Sequence, residues 1–263
     1  MIKSRSLFSF LIHSKGRHGI HSPFVFDFID QCLTTKMDKN FVSKRKMWYK
    51  TAKANKEPFK INDLGAGSKK MNATRSVSQL VKTASSNGIY GSVLWKIAHH
   101  YKPQFVLELG TSIGSGVIHL KGGNPDAHIV TIEGCKETLR RAYQQFDFWG
   151  LSKITAIQSS FDDFLELPPI GEYDLVFIDG NHTSEPTKKA IKKTLPYTNN
   201  NTLFILDDIR WNDDMWNLWN ELIQDERFHV TIDLGRMGLL WIRSEQAKEH
   251  FVIRPWILKT KLL

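Results

Sequence analysis

The sequence is poor in cysteine and in long apolar runs. Cys32 and Cys135 are the only cysteines among 263 residues, which excludes a disulfide-stabilised scaffold and a cysteine-rich zinc module. The longest apolar run near the start, Leu7 to Ile12, is broken by Ser9 and is far shorter than the roughly 20 residues of a membrane span. It also lacks the cleavage site of a secretory signal. We therefore expect a soluble, cytoplasmic protein with reduced cysteines.

Acidic residues are scarce in the first 60 positions, where 4 of them face 13 lysines and arginines. This segment accounts for the whole formal net charge of +9, because residues 61–263 hold 23 charges of each sign. A basic segment can attract phosphates or anionic lipid, and a lysine-rich helix surface facing water has the same composition. The hydrophobic fraction of 41% is enough for a packed core and excludes wholesale disorder.

Helical patterns dominate up to about residue 100. Ser22 and Pro23 are typical of a helix start, and the apolar residues of PFVFDFIDQCL follow at helical spacing. A basic stretch over 44–60 ends near Pro58, and a further helix is predicted over 89–100. The HGIHSPF segment at 18–24 is unusual, and a lid or a dimer contact are both open roles for it. We expect residues 1–88 to form a basic helical extension.

From residue 104 onward, short apolar runs alternate with amphipathic segments. Such alternation predicts a parallel sheet covered by helices on both faces, with right-handed crossovers. The last two runs are joined too closely for a crossover and predict an antiparallel hairpin at the sheet edge. We thus expect an α/β, Rossmann-like, doubly wound and mostly parallel seven-stranded sheet over 89–243, followed by a tail over 244–263 with no clear period. The predicted strands are 104–109, 128–132, 153–158, 173–178, 202–207, 228–233 and 237–243, and the predicted helices between them lie near 115–122, 136–148, 184–195 and 212–224.

A glycine-rich turn follows the first predicted strand of this sheet. Glycines let the backbone turn sharply and approach a ligand closely, and ligands of doubly wound sheets bind beyond the carboxyl ends of the strands. The second strand ends in Glu133, 23 residues after Gly110. A carboxylate at that place can accept hydrogen bonds from both hydroxyls of a ribose. The two motifs together predict an adenosine-containing cofactor, held by Glu108, Gly110, Thr111, Ser112, Gly114, Gly116 and Glu133.

The spacing of the glycines separates two classes of cofactor. Nicotinamide-binding proteins favour G-x-G-x-x-G, whereas this turn reads G-x-x-x-G-x-G and follows Glu108. An acid there suits a cationic amino group and disfavours a pyrophosphate. The combination resembles the class I S-adenosylmethionine-dependent methyltransferases over roughly residues 89–243. The resemblance implies S-adenosyl-L-methionine as cofactor.

Two further segments compete for, or complete, the cofactor site. NDLGAGS at 62–68 fits the same glycine motif with Asp63 as its acid, but no apolar strand ending in an acid follows at the right distance, so we interpret it as a turn. In methyltransferases of this class, the turn after the third strand borders the adenine. The resemblance therefore implies Ser160, Phe161 and Asp162 as adenine contacts, and Ser160 or Asp162 can equally cap the next helix.

Acidic residues end the fourth and fifth predicted strands. Asp179, Asp207 and Asp208 would repel one another unless a cation neutralises them, and a divalent cation with oxygen ligands is one solution. This pattern resembles the metal-dependent O-methyltransferases of the catechol and caffeoyl-CoA type. The resemblance implies all three as ligands of Mg²⁺ or another divalent cation. His182 stands where the catechol enzymes have a lysine base, so His182 and Asp179 are candidate catalytic residues.

These residues can also have ordinary structural roles. Asp179 can contact only the cofactor, Asp207 or Asp208 can cap the helix that begins near Asn212, and a histidine after a strand is often structural. The leading hypothesis is O-methylation of a small hydroxylated acceptor by in-line methyl transfer. A methyltransferase for RNA or another polyanion, a non-catalytic cofactor-binding protein and a nicotinamide-dependent oxidoreductase are the alternatives. A homodimer is possible.

Overall fold

The computed structural model describes residues 10–14, 16, 20–61, 73–83, 88–169 and 171–255. Its central sheet has eight strands in the order β10-β8-β9-β7-β6-β3-β4-β5. The seven predicted strands are β3 to β9, which confirms the α/β, mostly parallel, Rossmann-like fold. The eighth strand, β10, comes from the tail, where no hydrophobic periodicity predicted a strand. The strands of this sheet are β3 (Phe105–Leu109), β4 (His128–Glu133), β5 (Ile154–Gln158), β6 (Tyr173–Ile178), β7 (Thr198–Leu206), β8 (Val230–Asp233), β9 (Gly238–Trp241) and β10 (Glu249–Val252).

The helices of the sheet region begin and end within about two residues of their predicted bounds. Helix α6 shows why: its buried residues Leu139, Ala142, Phe146 and Trp149 recur at helical spacing, and Gly150 ends it with a left-handed φ of 65°. The helices in chain order are α1 (Pro23–Asp27), α2 (Lys39–Ala54), α3 (Val77–Thr83), α4 (Ile89–Tyr101), α5 (Ser115–Gly123), α6 (Lys136–Trp149), α7 (Phe161–Leu165), α8 (Ser184–Thr194) and α9 (Asp213–Gln224).

The chain divides into two compact units, which interleave along the sequence. The first contains residues 1–34, 105–107 and 168–263. Within it β6 and β7 are parallel, β9 is antiparallel to both β7 and β8, and β10 is parallel to β8. Phe28 and Trp241 are fully buried and pack edge to face, with ring centroids 5.5 Å apart. This contact holds the N-terminal helix against strand β9.

The second unit contains residues 35–104 and 108–167. Its strands β4 and β5 are parallel, with Ile129 opposite Ile154 and Glu133 opposite Gln158. Its core is aromatic: Phe41 and Trp48 of α2 pack against Trp149 of α6, with ring centroids 5.2 Å and 6.4 Å apart. Lys44 donates a hydrogen bond to the Trp149 carbonyl oxygen, 3.1 Å away, so that basic α2 is fixed by contacts of its buried face.

The N-terminal part differs from its prediction in two details. Residues 23–33 are helical as expected, but the second half, Phe28–Leu33, is a π-helix, and Ser22 at its start makes no capping side-chain bond. Two short antiparallel strands, β1 (Pro58–Ile61) and β2 (Ala73–Ser76), interrupt the expected helical run. Phe59 and Ile61 of β1 are buried alternately with exposed neighbours, a period of two that four residues are too few to reveal. The NDLGAGS segment with Asp63 lies outside the described residues, as does the start of HGIHSPF.

No helix among the described residues is both long and apolar enough to cross a lipid bilayer. Cys32 and Cys135 are both buried, and neither is part of a disulfide.

Candidate active site

The glycine-rich turn lies between β3 and α5. Three of its residues have a positive φ: Gly110 at 110°, Ser112 at 49° and Gly114 at 80°. The turn is fixed to the neighbouring strand, because the N–H groups of Gly110 and Thr111 both donate to the Ile132 carbonyl oxygen, at 3.0 and 3.1 Å. A side chain on Gly114 would place its Cβ 2.4 Å from the Phe146 ring. Glycine is therefore required at position 114 for two reasons: the positive φ, and the lack of room for a Cβ atom.

Glu133 links the predicted ribose site to this turn. One carboxylate oxygen, Oε2, accepts a hydrogen bond from the Ser112 N–H at 2.9 Å, and Oε1 accepts one from the Cys135 N–H at 2.9 Å. Each oxygen of an ionised carboxylate has two acceptor positions. Such acceptor oxygens are the groups that ribose hydroxyls, as donors, require. The side chain is half-buried and already oriented by the backbone.

Glu108 lies beneath the turn and is fully buried. Its carboxylate accepts a hydrogen bond from the Thr131 hydroxyl. Since that hydroxyl has only one proton, its oxygen is the acceptor for Thr111, whose Oγ1 lies 2.6 Å away. The chain from Thr111 through Thr131 to Glu108 couples the turn to a buried negative charge.

The turn after β5 contains the three residues that the resemblance implies as adenine contacts. Ser160 caps α7: its hydroxyl oxygen accepts from the Asp163 N–H at 3.0 Å and its proton is donated to Asp163 Oδ2 at 2.7 Å. Phe161 is half-buried and Asp162 is exposed in the first turn of α7. The Ser159 N–H donates to the Glu133 carbonyl oxygen at 3.2 Å. This hydrogen bond connects the turn after β5 to the backbone of Glu133, the predicted ribose-binding residue.

The acidic residues that end β6 and β7 lie in the first unit. The Asp207 N–H donates to the Ile178 carbonyl oxygen at 2.9 Å, which sets Asp207 beside the end of the strand that Asp179 follows. The side chain of Asp207 is fully buried and that of Asp208 is 11% exposed. Asp208 has a positive φ of 53°, a conformation that costs energy outside glycine and is common in functional loops.

His182 lies close to Asp208. Its Nε2 is 3.7 Å from Asp208 Oδ2, and its ring faces Trp211 with centroids 5.3 Å apart. Asn181 and His182 both have a positive φ, 64° and 37°. Asn212 donates its side-chain N–H to the His182 carbonyl oxygen at 3.0 Å and caps α9 through Oδ1. The expected alternative that Asp207 or Asp208 caps this helix is wrong, because Asn212 provides the cap.

Arg236 is a site residue that sequence reasoning missed. It lies in the turn between β8 and β9, and its Nε is 2.7 Å from Asp208 Oδ1 and 3.4 Å from Asp207 Oδ1. The signal was the strand register: Leu206 pairs with Gly238 and Gly238 with Asp233, so the β8–β9 turn must lie at the end of β7. A cation in that turn is therefore next to the acids that follow β7.

Burial and neighbouring charges have opposing effects on the pKa values of Asp208 and Arg236. Burial raises the pKa of the Asp208 carboxyl, and the charge of Asp207 raises it further, against the opposing effects of Arg236 and His182. Burial lowers the pKa of the Arg236 guanidinium, but the negative charges of Asp207, Asp208 and Asp179 more than offset that effect and raise the pKa above its ordinary value. All three acids thus act on Arg236.

The donor set fits a divalent cation poorly. Within the part of the chain that the structure describes, no three His, Cys, Asp or Glu side chains are grouped so that they could hold a metal ion. The guanidinium of Arg236 already binds the two acids after β7. Asp179, Asp207 and Asp208 as metal ligands remain a prediction.

Comparisons with known proteins agree with this geometry. Residues 107–209 match a family model described as a methyltransferase domain, and no curated protein sequence matches significantly. Many solved structures are similar. A candidate caffeoyl-CoA O-methyltransferase from Staphylococcus aureus has a TM-score of 0.56 at 16% identity, with 62% of this chain and 88% of that chain covered.

Two further similar structures contain the demethylated cofactor SAH. The O-methyltransferase from Bacillus cereus in complex with SAH has a TM-score of 0.52 at 14% identity, covering 83% of this chain and 97% of that one. The SAH-bound methyltransferase PaMTH1 from Podospora anserina has a TM-score of 0.53 at 18% identity, covering 83% and 94%. These similarities confirm the fold that the motifs predicted, and the family model agrees with the resemblance over residues 107–209.

Proposed function

We propose that this chain, whose residues 107–209 match a methyltransferase-domain model, transfers a methyl group from S-adenosylmethionine to a hydroxyl oxygen of a small acceptor. The observation that carries the proposal is the hydrogen bond from the Ser112 N–H to the Glu133 carboxylate. It joins the glycine-rich turn and the ribose acid, the two elements that such a cofactor needs, into one binding surface. Buried cysteines that form no disulfide suit an enzyme of the cytoplasm.

The residues of the second unit fit the cofactor. In this proposal Glu133 would bind the ribose hydroxyls, and the turn from Gly110 to Gly116 would hold the amino-acid end. The buried carboxyl group of Glu108 would favour the cationic amino group of that end. Ser160, Phe161 and Asp162 border the adenine. When bound, S-adenosylmethionine supplies an electrophilic methyl group on its sulfonium.

Proton removal is assigned to the first unit. His182 is assigned as the general base that accepts the proton of the acceptor hydroxyl, and Asp208, whose Oδ2 lies 3.7 Å from His182 Nε2, orients the ring. Asp179 contacts the cofactor or the acceptor from the end of β6. Divalent-metal assistance, implied by the resemblance to catechol and caffeoyl-CoA enzymes, has no step in this mechanism, because Arg236 already binds Asp207 and Asp208.

The test is a calorimetric titration with S-adenosylmethionine, SAH and NAD, followed by a screen of hydroxylated metabolites with methyl-labelled cofactor. We expect the first two ligands to bind, NAD not to bind, and label to reach an acceptor oxygen. His182→Gln should lower the rate of transfer by about 10²- to 10⁴-fold, the usual contribution of a general base, at unchanged cofactor affinity. Binding of NAD alone would contradict the proposal. Cofactor binding without any acceptor would favour the non-catalytic alternative.

A polyanion such as RNA is the second candidate acceptor, supported by the basic α2. Lys39, Lys46, Lys50 and Lys53 on this helix are exposed, whereas Lys44 is engaged with Trp149. Scattered exposed lysines give weak binding that falls steeply with salt. RNA affinity that hardly changes between low and high salt would overturn the small-molecule assignment.

A further inference from the structure

The acids after β6 and β7 already have a cation from their own chain. Three carboxylates near one strand edge repel one another, and burial strengthens that repulsion. Arg236 meets this need in two contacts: Nε lies 2.7 Å from Asp208 Oδ1, and Nη2 donates to Asp208 Oδ2 at 3.1 Å. The Nη2 contact is a hydrogen bond between charged groups, and the Nε contact adds ion-pair attraction. Asp207 Oδ1 lies 3.4 Å from the same Nε.

Arg236 is held in this place by a second arginine. Arg210, on the loop after β7, forms a bidentate ion pair with Asp233 at the end of β8, and both side chains are at most 3% exposed. Arg210 also donates to the Gly235 carbonyl oxygen, and the Ile209 N–H donates to the Arg236 carbonyl oxygen at 3.0 Å. The loop after β7 and the β8–β9 turn are thus connected twice: by Arg210, which reaches from the loop to the turn, and by Arg236, which reaches from the turn to the acids after β7.

We propose that Arg236 is the resident countercharge of this acidic site and that methyl transfer by this chain needs no divalent metal. The inference rests on the proposed function, and it assigns Arg236 a positioning role: it neutralises Asp207 and Asp208 and holds Asp208 next to His182. A divalent ion bound to either acid would have to displace the guanidinium or lie beside its positive charge. Both alternatives cost binding energy.

The test measures metal binding directly, by electron paramagnetic resonance of free Mn²⁺ during titration of the full-length protein. We expect the wild-type protein to bind no Mn²⁺ at this site. Arg236→Gln removes the positive charge at similar size and should bind one Mn²⁺ per chain, with an affinity at least about tenfold above that of the wild type. Arg236→Lys keeps the charge and should stay metal-free. Addition of Asp208→Asn to Arg236→Gln should remove the gained site.

Two results would overturn the assignment. One is a wild-type protein that binds one Mn²⁺ per chain and loses it in Asp208→Asn. The other is an Arg236→Gln variant that folds, by circular dichroism, and still binds no Mn²⁺, because Arg236 would then not be what excludes the ion. Should that variant fail to fold, the wild-type and Arg236→Lys titrations still decide. Neither titration needs cofactor or acceptor, so a chain that binds no S-adenosylmethionine would refute the proposed function separately.

Discussion

At the scale of single residues, Glu133 combines a structural role with a ligand-binding one. Its carboxylate accepts backbone hydrogen bonds from Ser112 and Cys135, each at 2.9 Å, and both of its oxygens are acceptors only. The geometry that orients it for a ribose is therefore formed before any ligand arrives. Preorganisation of this kind lowers the entropic cost of binding.

Glu133→Gln should weaken S-adenosylmethionine binding by about 10- to 100-fold. The substitution replaces one acceptor oxygen by an amide donor and removes the charge, and hydrogen bonds to charged groups contribute about 1.5–3 kcal/mol. Isothermal titration of the cofactor measures the effect. The control is Glu137→Gln in the first turn of α6, where the side chain is 42% exposed and pairs with Arg140. A similar loss in both variants would contradict the role of Glu133.

At the scale of elements, helix α5 is packed so closely that it depends on glycine. A Cβ on Gly114 would meet the Phe146 ring at 2.4 Å, and one on Gly123 would meet the Trp95 carbonyl oxygen at 2.1 Å. The helix can therefore approach α6 and α4 only without these side chains. Because α5 begins directly after the glycine-rich turn, a shift of the helix also shifts the turn.

Gly114→Ala and Gly150→Ala form a matched pair that separates strain from steric conflict. Both glycines have a left-handed φ, 80° and 65°, but nothing lies within 4 Å of a Cβ on Gly150. We expect Gly150→Ala to lower the free energy of unfolding by about 1 kcal/mol and to leave cofactor affinity unchanged. Gly114→Ala should lower the free energy of unfolding by more than Gly150→Ala does, and it should weaken cofactor binding by about tenfold or more.

Denaturant unfolding and cofactor titration of both variants give the two readouts. Phe146→Leu, added to Gly114→Ala, should restore part of the lost affinity, since it removes the ring that the new Cβ meets. Equal effects of the two alanine substitutions would show that the backbone conformation alone matters.

The elements of the sheet region were predicted because its strands are short, largely buried apolar runs and most of the helices between them are amphipathic. β6 was predicted over 173–178 and forms over Tyr173–Ile178, and α5 differs by one residue at its end. β10, β1 and β2 were missed because they contain charged or polar residues and no apolar run. β8 and β9 are equally short, but every residue in them is buried. Arg236 was missed because a turn carries no period: its partners Asp207 and Asp208 are 28 or more positions away and meet it only through strand register.

At the scale of the whole molecule, one buried histidine makes the stability depend on pH. His119 in α5 is fully buried, and its Nδ1–H donates to the Ser115 carbonyl oxygen at 2.8 Å. Burial lowers the pKa of His119 from 6.5 to about 4, against a raising effect of that hydrogen bond, and the positive charge of Arg45 adds to the lowering. The folded protein therefore favours the neutral ring, whereas in the unfolded chain the ring takes up a proton with the ordinary pKa of 6.5.

Acid should therefore destabilise the fold through His119. The stabilisation is complete above pH 6.5 and is lost as the pH falls from 6.5 towards 4, a loss of about 3 kcal/mol from this group. Urea unfolding at neutral pH and at about pH 4 measures it. His119→Phe, which keeps a ring next to Phe41, should show a smaller loss, and His99→Gln at an exposed position should behave like the wild type. An unchanged pH dependence in His119→Phe would exclude this group as the cause.

Strand β10 protects the outer border of the sheet. Its residues Glu249–Val252 pair with Val230–Asp233 of β8, and they cover a row of backbone groups that would otherwise be open to pairing with another chain. An exposed apolar edge of this kind is a starting point for aggregation. A truncated protein for crystallisation should therefore keep the chain at least to Val252. A truncation that ends after the β8–β9 hairpin would leave β8 as an exposed, aggregation-prone edge strand.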